Sequence, residues 1–521
     1  MTLSQLFAKF NTLPSELANL QDLPISDLPF NALQVDSRKV ADGDVFVLLK
    51  PQGSEPDFEK IQNYLNQVAG KAVFVLSELD VSPIADFIIG YETPIFIVPS
   101  IRDYLGELVQ FSLQNQNPTT LPTVIAVTGT NGKTTISQLV AQFAHLAGQK
   151  VAVMGTAGNG ILGEKKEGEN GLNDLTPSTH TTLEVFALQH ALYDYAKQGV
   201  QILSIEASSH GLHQNRLQGV PISIAIFTNL TRDHLDYHHD MADYANAKAC
   251  LFDKSLFPHL THAIINLDDE HSSIFIERAK ASHLTVWTYS LTDDKADIVA
   301  KNIAPSLDGV DMYIMTPQGE MMVKSPLLGM FNVANLLASI GASLAMGIEI
   351  DKITSIINRL KGASGRMERV PSSKGAFIVD YAHTPDAVEQ VLSSLRTHCA
   401  GTLFAVLGCG GDRDKGKRPL MTKSALKFAD KVILTADNPR SEEPLAILKD
   451  MQEGLDCDSH YKIEIEPDRK IAIELAVKLA GERDIVAILG KGHETYQEIK
   501  GVRYDFDDRV VVGEMIERFG K

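Results

Sequence analysis

The chain has 521 residues, and its 48 Lys and Arg stand against 66 Asp and Glu, a formal net charge of −18. At roughly 150 residues per domain, this length predicts three or four domains. Hydrophobic residues make up 44% and charged residues 22%, which excludes bulk disorder. The acidic excess argues against a general binder of nucleic acid or anionic membrane, because either partner demands a net basic face.

No apolar run reaches the ~18 residues needed to span a bilayer. The opening MTLSQLFAKFNTLPSEL lacks the basic, apolar and small-residue order of a signal peptide. Four cysteines (Cys250, Cys399, Cys409 and Cys457) form no CxxC pair. That excludes a disulfide framework and an obvious zinc site, and it fits a reducing cytoplasm. So far this reads as a large soluble protein of the cytoplasm, with neither nucleic acid nor membrane as partner.

Along the chain, an amphipathic run over Ile101–Leu113 leads into a polar, Pro-containing joint, NQNPTTLP (115–122). A second joint, KGASG (361–365), follows the helical spacing of Ile353, Ile356, Ile357 and Leu360. Between and after these joints, short runs rich in Val and Ile alternate with longer segments of helical spacing. They are TVIAVT (123–128), QILSIEA (201–207), ISIAIFT (222–228), HAIINL (262–267), AFIVDY (376–381), LFAVLG (403–408), KVILTA (431–436) and DIVAILG (484–490). Continuous apolar runs of this length suit strands buried on both faces of a parallel sheet, so the predicted class is α/β.

Each of these runs is followed by a dense polar segment: GTNGKTT, SSHGL, NLTRDHLDYH, DDEH, AHTPD, CGGDRDKGKR, DNPRSEEP and GKGHE. Any one of them alone reads as a solvated loop. In succession they point to ligand sites beyond the carboxyl ends of the strands, one site in each sheet-bearing region.

GTNGKTT is the most specific of these. A strand at 123–128, a glycine loop at Gly129–Lys133 and helical spacing from Ile136 to Ala147, closed by Gly148, make a strand–loop–helix phosphate cradle. Lys133 supplies a point charge for outer phosphates and Thr134 a hydroxyl suited to Mg²⁺. Strict Walker spacing would put glycine where this chain has Val127, so the match to the general pattern is approximate.

Glu206 ends an apolar strand, where a carboxylate is costly unless it meets a cation. Carboxylate, imidazole and phosphate form a plausible Mg²⁺ set, which brings in His234 from TNLTRDHLDYHHD. On its own His234 equally reads as a hydrogen-bonded structural histidine. His238 and His239 read as a solvated loop, and Lys248 in YANAKACLF as a surface lysine.

Taken together, GTNGKTT, EASSHGL, NLTRDHLDYH, AKACLF, GMFNVANLLA, SGRME, DYAHTPDA, GCGGDRDKGKRP, DNPRSEEP and GKGHE resemble the Mur ligases, in the same order along the chain. The resemblance extends from VDSRKVADGDVFV (35–47) to the C-terminus and is densest from Gly129 onward. It implies three domains: residues 1–104 for the UDP end of the substrate, 105–361 for ATP, and 362–521, Rossmann-like, for the incoming amino acid. It also implies a reaction in which ATP phosphorylates the D-glutamyl carboxylate of UDP-N-acetylmuramoyl-L-alanyl-D-glutamate. An amino acid amine then displaces phosphate from the acyl phosphate.

The same resemblance distributes roles among the residues. Gly129, Thr130, Asn131, Gly132, Lys133, Thr134 and Thr135 would hold ATP phosphates and Mg²⁺. Glu206, His234 and a carbamoylated Lys248 would hold a second Mg²⁺. Asn332 and Asn335 would lie on the adenine side, Arg366 on the γ-phosphate, Asp380 at the ribose and His383 near the reacting centre. Ser37, Arg38, Thr181, Thr182, Ser208, Gln214 and Arg216 would grip the UDP-linked substrate. Arg413, Asp437, Asn438, Pro439, Arg440, Gly490 and Glu494 would take the amino acid.

Arg440 in DNPR bears on which amino acid is added. meso-Diaminopimelate ends in a second amino acid head, and Arg440 can pair with its carboxylate while Glu494 takes its ammonium. L-Lysine has no distal carboxylate and would leave Arg440 unpaired. The alternatives are a lysine-adding ligase of the same step, a folylpolyglutamate synthase, which needs no DSR-bearing N-terminal region, and a nucleotide-binding scaffold without chemistry. A scaffold would be expected to lose Lys133, Glu206 or Lys248, and all three are present.

Overall fold

A computed structural model describes the whole chain except residues 11–14, 22, 52–54, 88–92, 164–171, 173–174, 177, 179–180, 236, 307 and 457–460. Cys457 therefore lies outside the described residues. The architecture is α/β, with three successive sheet-bearing regions.

The first region carries four parallel strands, β1 (Leu33–Gln34), β2 (Val45–Leu48), β3 (Phe74–Ser77) and β4 (Ile95–Ile97), in that spatial order. β2 and β3 are buried at every position. One face packs on Ile61, Leu65 and Val68 of the helix Phe58–Val68. The other face packs on Leu105, Leu108 and Val109 of the helix Leu105–Gln116. The core of this region therefore draws on residues up to the 115–122 joint.

The central sheet has ten strands: β5 (Thr123–Thr128), β6 (Val151–Gly155), β7 (Gly158–Ile161), β8 (Ile202–Glu206), β9 (Ile222–Phe227), β10 (His262–Asn266), β11 (Thr285–Ser290), β12 (Ile298–Ser306), β13 (Gly309–Thr316) and β14 (Gly319–Ser325). Their spatial order is β14-β13-β12-β11-β10-β9-β5-β8-β6-β7. β5 through β12 pair in parallel, apart from the antiparallel β7 at one edge, and β13 and β14 add an antiparallel meander at the other. Alternate side chains of β5 feed opposite cores. Ile125 and Val127 pack on the helices Lys133–Leu146 and Met330–Ala345, whereas Val124 and Ala126 face the helix Val185–Lys197. Burial on both faces is why this strand reads as an unbroken apolar run. At about 1.5–3 kcal/mol for each large side chain fully removed from water, these two cores dominate the stabilisation of the region.

The third sheet comprises β15 (Glu368–Val370), β16 (Ala376–Asp380), β17 (Leu403–Leu407), β18 (Lys431–Leu434), β19 (Ile463–Ile465) and β20 (Ile485–Leu489), in the order β15-β16-β20-β17-β18-β19. All but β15 run parallel. A hairpin, β21 (Tyr496–Ile499) and β22 (Val502–Asp505), follows. Every predicted strand run is a strand here, and the Gly148 stop is present, with φ +99° just after the helix Lys133–Leu146.

Candidate active site

β5 is the point where the central strand order reverses: β6 lies beyond β8 on one side and β9 lies on the other. Its carboxyl end opens into the glycine loop, and the loop runs straight into the helix Lys133–Leu146 with Gly132 as N-cap. Gly129 has φ +147°, and a Cβ there would meet Thr228 Oγ1 at 1.8 Å, so only glycine lets the loop lie against β9's end. Asn131 N donates to Asn229 Oδ1 (2.9 Å), and Thr228 Oγ1 donates to Asn131 O (2.6 Å). The hydroxyls of Thr130 and Tyr244 share a hydrogen bond of 3.2 Å. Lys133 Nζ donates to Gly129 O (2.9 Å) and Thr130 O (2.8 Å).

The loop forms one wall of a cavity of about 410 Å³ that also reaches the third sheet. Lys133, Thr134 and Glu206 face it from the central region, and Arg366 and Asp380 from the C-terminal side. Asn335 lines it too, its Oδ1 lying 2.7 Å from where a Cβ on Gly132 would sit. Asn332 is buried and donates to Leu328 O (2.8 Å), while Asn335 Nδ2 donates to Asn332 Oδ1 (3.1 Å).

Glu206 is 2% exposed at the end of β8. Thr156 N and Thr156 Oγ1 donate to its two oxygens at 2.8 and 3.1 Å. Burial pushes its carboxyl above the usual range, and the Lys133 ammonium opposes that shift. Burial in turn pulls Lys133 down, with Glu206 holding it up.

Lys248 is not the surface lysine its helical spacing suggested. It is 1% exposed and donates to Gly129 O at 2.8 Å, with its ammonium 4.4 Å from the centre of the Tyr244 ring. The helix Met241–Ala249 turns it inward behind the phosphate loop. Desolvation, reinforced by Lys133, lowers its pKa well below the lysine range.

The His238–His239 pair also divides. His239 is exposed as expected, but His238 is buried against Tyr237, Tyr244 and His210, with Nδ1 3.3 Å from Asp243 Oδ2. The ring needs a dry aromatic shelf that local polarity could not announce. His234 has φ +53° on the exposed part of the same loop, outside the cavity lining, with Nε2 3.5 Å from Asp233 Oδ2.

Arg366 stacks over Tyr381, 4.7 Å from the ring centre. The Asp380 carboxylate accepts from Met367 N and Ala382 N, both at 2.7 Å. Burial raises its pKa and Arg366 opposes the rise. His383 is exposed at the rim, its Nδ1 2.8 Å from Tyr381 O.

Of the residues expected at the UDP-linked substrate, one group converges. Thr181 Oγ1 accepts from Thr156 Oγ1 (3.0 Å), Thr182 Oγ1 donates to Glu206 O (2.8 Å), and Ser208 Oγ lies 3.1 Å from Thr182 Oγ1. Arg216 donates to Thr182 O (3.0 Å) and to Gln214 Oε1, and it pairs with Glu184 (2.9 Å). Ser37 and Arg38 sit apart from this group in the first region. Ser37 Oγ donates inward to Gln67 Oε1 (2.7 Å), and Arg38 is exposed and paired with Asp36.

A second cluster of polar side chains lies beyond the carboxyl ends of β18 and β20. Asp437 and Asn438 are buried, and Asn438 Nδ2 donates to Glu494 Oε2 (2.9 Å). Gly490 has φ +116°, and a Cβ there would come within 2.6 Å of Asp437 Oδ2. Pro439 is buried beside them; Arg440 has φ +50° and donates to Gly411 O (2.7 Å). Arg413 is exposed on the neighbouring loop. Not every cation of GDRDKGKR serves a site: Arg418 is fully buried between Glu442 and Asp450, both at 2.7 Å.

Sequence reasoning missed Thr156, Asn229 and Tyr244, which hold Glu206, the loop and Lys248. It also missed Lys491, fully buried in the second pocket, although GKGHE was singled out as a motif. Among the described residues no helix is long and apolar enough to cross a membrane.

Residues 127–343 match the Mur ligase middle domain, and residues 365–492 match the Mur ligase glutamate ligase domain. The UDP-N-acetylmuramoyl-L-alanyl-D-glutamate–2,6-diaminopimelate ligase of Chromobacterium violaceum is 39% identical over 498 residues, covering 95% of this chain and 96% of its own. The enzyme of the same description from Pseudomonas aeruginosa is 39% identical over 497 residues, covering 95% and 97%. A solved structure of a ligase of that description superposes with a TM-score of 0.77 at 42% identity, covering 100% of this chain and 99% of that one. With both family domains matched and near-complete relatives at this identity, the chain belongs to the Mur ligase family.

Proposed function

We propose that the protein is an ADP-forming ligase that adds meso-2,6-diaminopimelate to UDP-N-acetylmuramoyl-L-alanyl-D-glutamate in peptidoglycan precursor synthesis. Support for the amino acid comes from one observation above the others: Arg440 lies on the same turn as the buried Asp437 and Asn438, and Asn438 holds the partly buried Glu494 at 2.9 Å. A guanidinium for a carboxylate and a carboxylate for an ammonium suit a distal amino acid head.

A free carboxylate is a poor acylating agent. One of its oxygens attacks the γ-phosphorus of ATP, a C–O–P linkage forms, and the bond to the β-phosphate oxygen breaks to release ADP. The free amine of diaminopimelate then adds to the acyl carbon, loses a proton, and the tetrahedral adduct expels inorganic phosphate as the amide forms. Such transfers depend mainly on positioning and cationic stabilisation.

The backbone N–H groups at the helix start, with Lys133, suit the outer phosphates. Arg366 faces them across the cavity, which Asp380 and Asn335 also line; on this reading Asp380 would take the ribose, and Asn335, backed by the buried Asn332, the adenine side. Mg²⁺ fits the donor set: Glu206 is a buried carboxylate beside Thr134 that already needs a cation to remain charged. Bound there, Mg²⁺ would neutralise phosphate charge as the transfer proceeds. His234 would join Glu206 through the exposed loop that carries it.

Burial lowers the pKa of Lys248, which favours its amine bonding to carbon dioxide with loss of a proton; a carbamoylated Lys248 would add negative charge behind the loop. The expected setting is cytoplasmic, with the chain acting as a monomer and its three sheet-bearing regions as working units.

Phosphate release measured across an amino acid panel tests the reading. Release is expected to require both ATP and UDP-N-acetylmuramoyl-L-alanyl-D-glutamate, to be strong with meso-diaminopimelate and weak with L-lysine. Equal rates with lysine would sink the specificity.

A further inference from the structure

Lys491 is fully buried immediately after β20 and belongs to none of the roles assigned above. Its Nζ lies 3.0 Å from Glu494 Oε2, 3.2 Å from Asn438 Oδ1 and 3.8 Å from Asp437 Oδ1. A buried ammonium is costly without partners, and here three polar side chains surround it. The other buried cation nearby is already spoken for: Arg469 pairs with Asp508 at 2.7 Å, both side chains 0% exposed. Within the pocket, Asp437 and Glu494 against Lys491 leave one net negative charge. Arg440, on the same turn as Asp437 and with its guanidinium on Gly411 O (2.7 Å), adds one positive charge.

We infer that Lys491 is a specificity-determining, positioning residue: its buried charge makes the pocket, Arg440 included, electrically neutral, matching an amino acid head that carries one ammonium and one carboxylate. This rests on the reading that the pocket takes the distal head of the added amino acid. Without the Lys491 charge the same pocket holds one surplus negative charge. That complements a lone ammonium, the distal group of L-lysine. Lys491 therefore acts by excluding a competitor, a role distinct from that of Arg440, which pairs with the correct ligand.

The same ammonium also orients the ligand groups. Asn438 Oδ1 accepts from both Lys491 and Glu498 N (2.9 Å), which fixes the amide so that its Nδ2 faces Glu494. Gly490 admits Asp437 to the cluster because no Cβ stands in the way.

The test compares kcat/KM for meso-diaminopimelate and for L-lysine in the full-length enzyme and in Lys491→Gln, Lys491→Met and Lys491→Arg. Lys491→Gln keeps a donor for Asn438 and Glu494 while removing the charge, so it guards against a loss of folding. The diaminopimelate-to-lysine ratio is expected to fall about tenfold or more in both neutral variants and to stay within about threefold in Lys491→Arg. The KM for ATP is expected to hold throughout. A fall in both rate constants with an unchanged ratio would make Lys491 merely structural and overturn the inference. A parent enzyme with no preference for diaminopimelate would instead overturn the proposed function, so the two failures are distinguishable.

Discussion

The two pockets solve the problem of a buried ligand in opposite ways. In the central region the phosphate loop works through its backbone: a glycine turn, a helix start, and a lysine resting on the loop's own carbonyl oxygens. Its buried charges are unevenly matched: Glu206 has Lys133 for a cation, whereas Lys248 rests on a carbonyl oxygen and a ring face, and Asp233 offsets its burial only in part. The pocket above the third sheet works through side chains, and Asn438, Lys491 and Glu494 satisfy one another. A backbone cradle suits a phosphate chain common to many enzymes, whereas a closed side-chain network suits discrimination between similar amino acids. On the proposed function, unbalanced charge would mark where charged reactants and metal arrive, and balanced charge where one amino acid head is chosen.

The largest effect is expected at the first pocket. Lys133→Ala should lower kcat by 10²- to 10³-fold or more, the scale on which one preorganised charge donor acts on a developing anion. Single-turnover phosphate release checks this, and a loss confined to KM for ATP would show that Lys133 only binds.

At the second pocket, Arg440→Ala should raise the KM for diaminopimelate by an order of magnitude or more, as the loss of a charged pair worth ~2 kcal/mol would. ATP binding should be untouched. An unchanged KM would mean the guanidinium does not meet the ligand.

The smallest effect concerns the scaffold behind the second pocket. Arg418 holds the Glu442 carboxyl at about 2, below its ordinary 4.5. A carboxylate with a depressed folded-state pKa stabilises the fold fully above the unfolded value, and that contribution drains away as pH falls toward 2. Thermal unfolding followed from pH 6 downward should therefore lose stability below about 4.5. Glu442→Gln should start less stable and show a flatter acid limb. An identical slope would detach this pair from acid sensitivity.

Much of this was legible in the chain because parallel strands buried on both faces leave an unbroken apolar signature. TVIAVT, AFIVDY and LFAVLG each became a strand followed by a polar loop. GTNGKTT was equally legible, since its chemistry lies in backbone conformation and local spacing. Lys248, His238 and Lys491 were not. Their local motifs carried no sign of burial, which comes from residues far along the chain: Gly129 for Lys248, 119 positions away, and Asn438 for Lys491, 53 positions away.

The sequence by itself determined the α/β class, the strand–loop order and the candidate ligand-bearing loops, because hydrophobic periodicity and glycine placement act over a few residues. Only the tertiary structure decided which charges are buried and which are balanced. Desolvation and Coulomb interaction depend on what surrounds a group in space, and for Glu206, Lys248 and Lys491 those surroundings are assembled from strands that are distant along the chain.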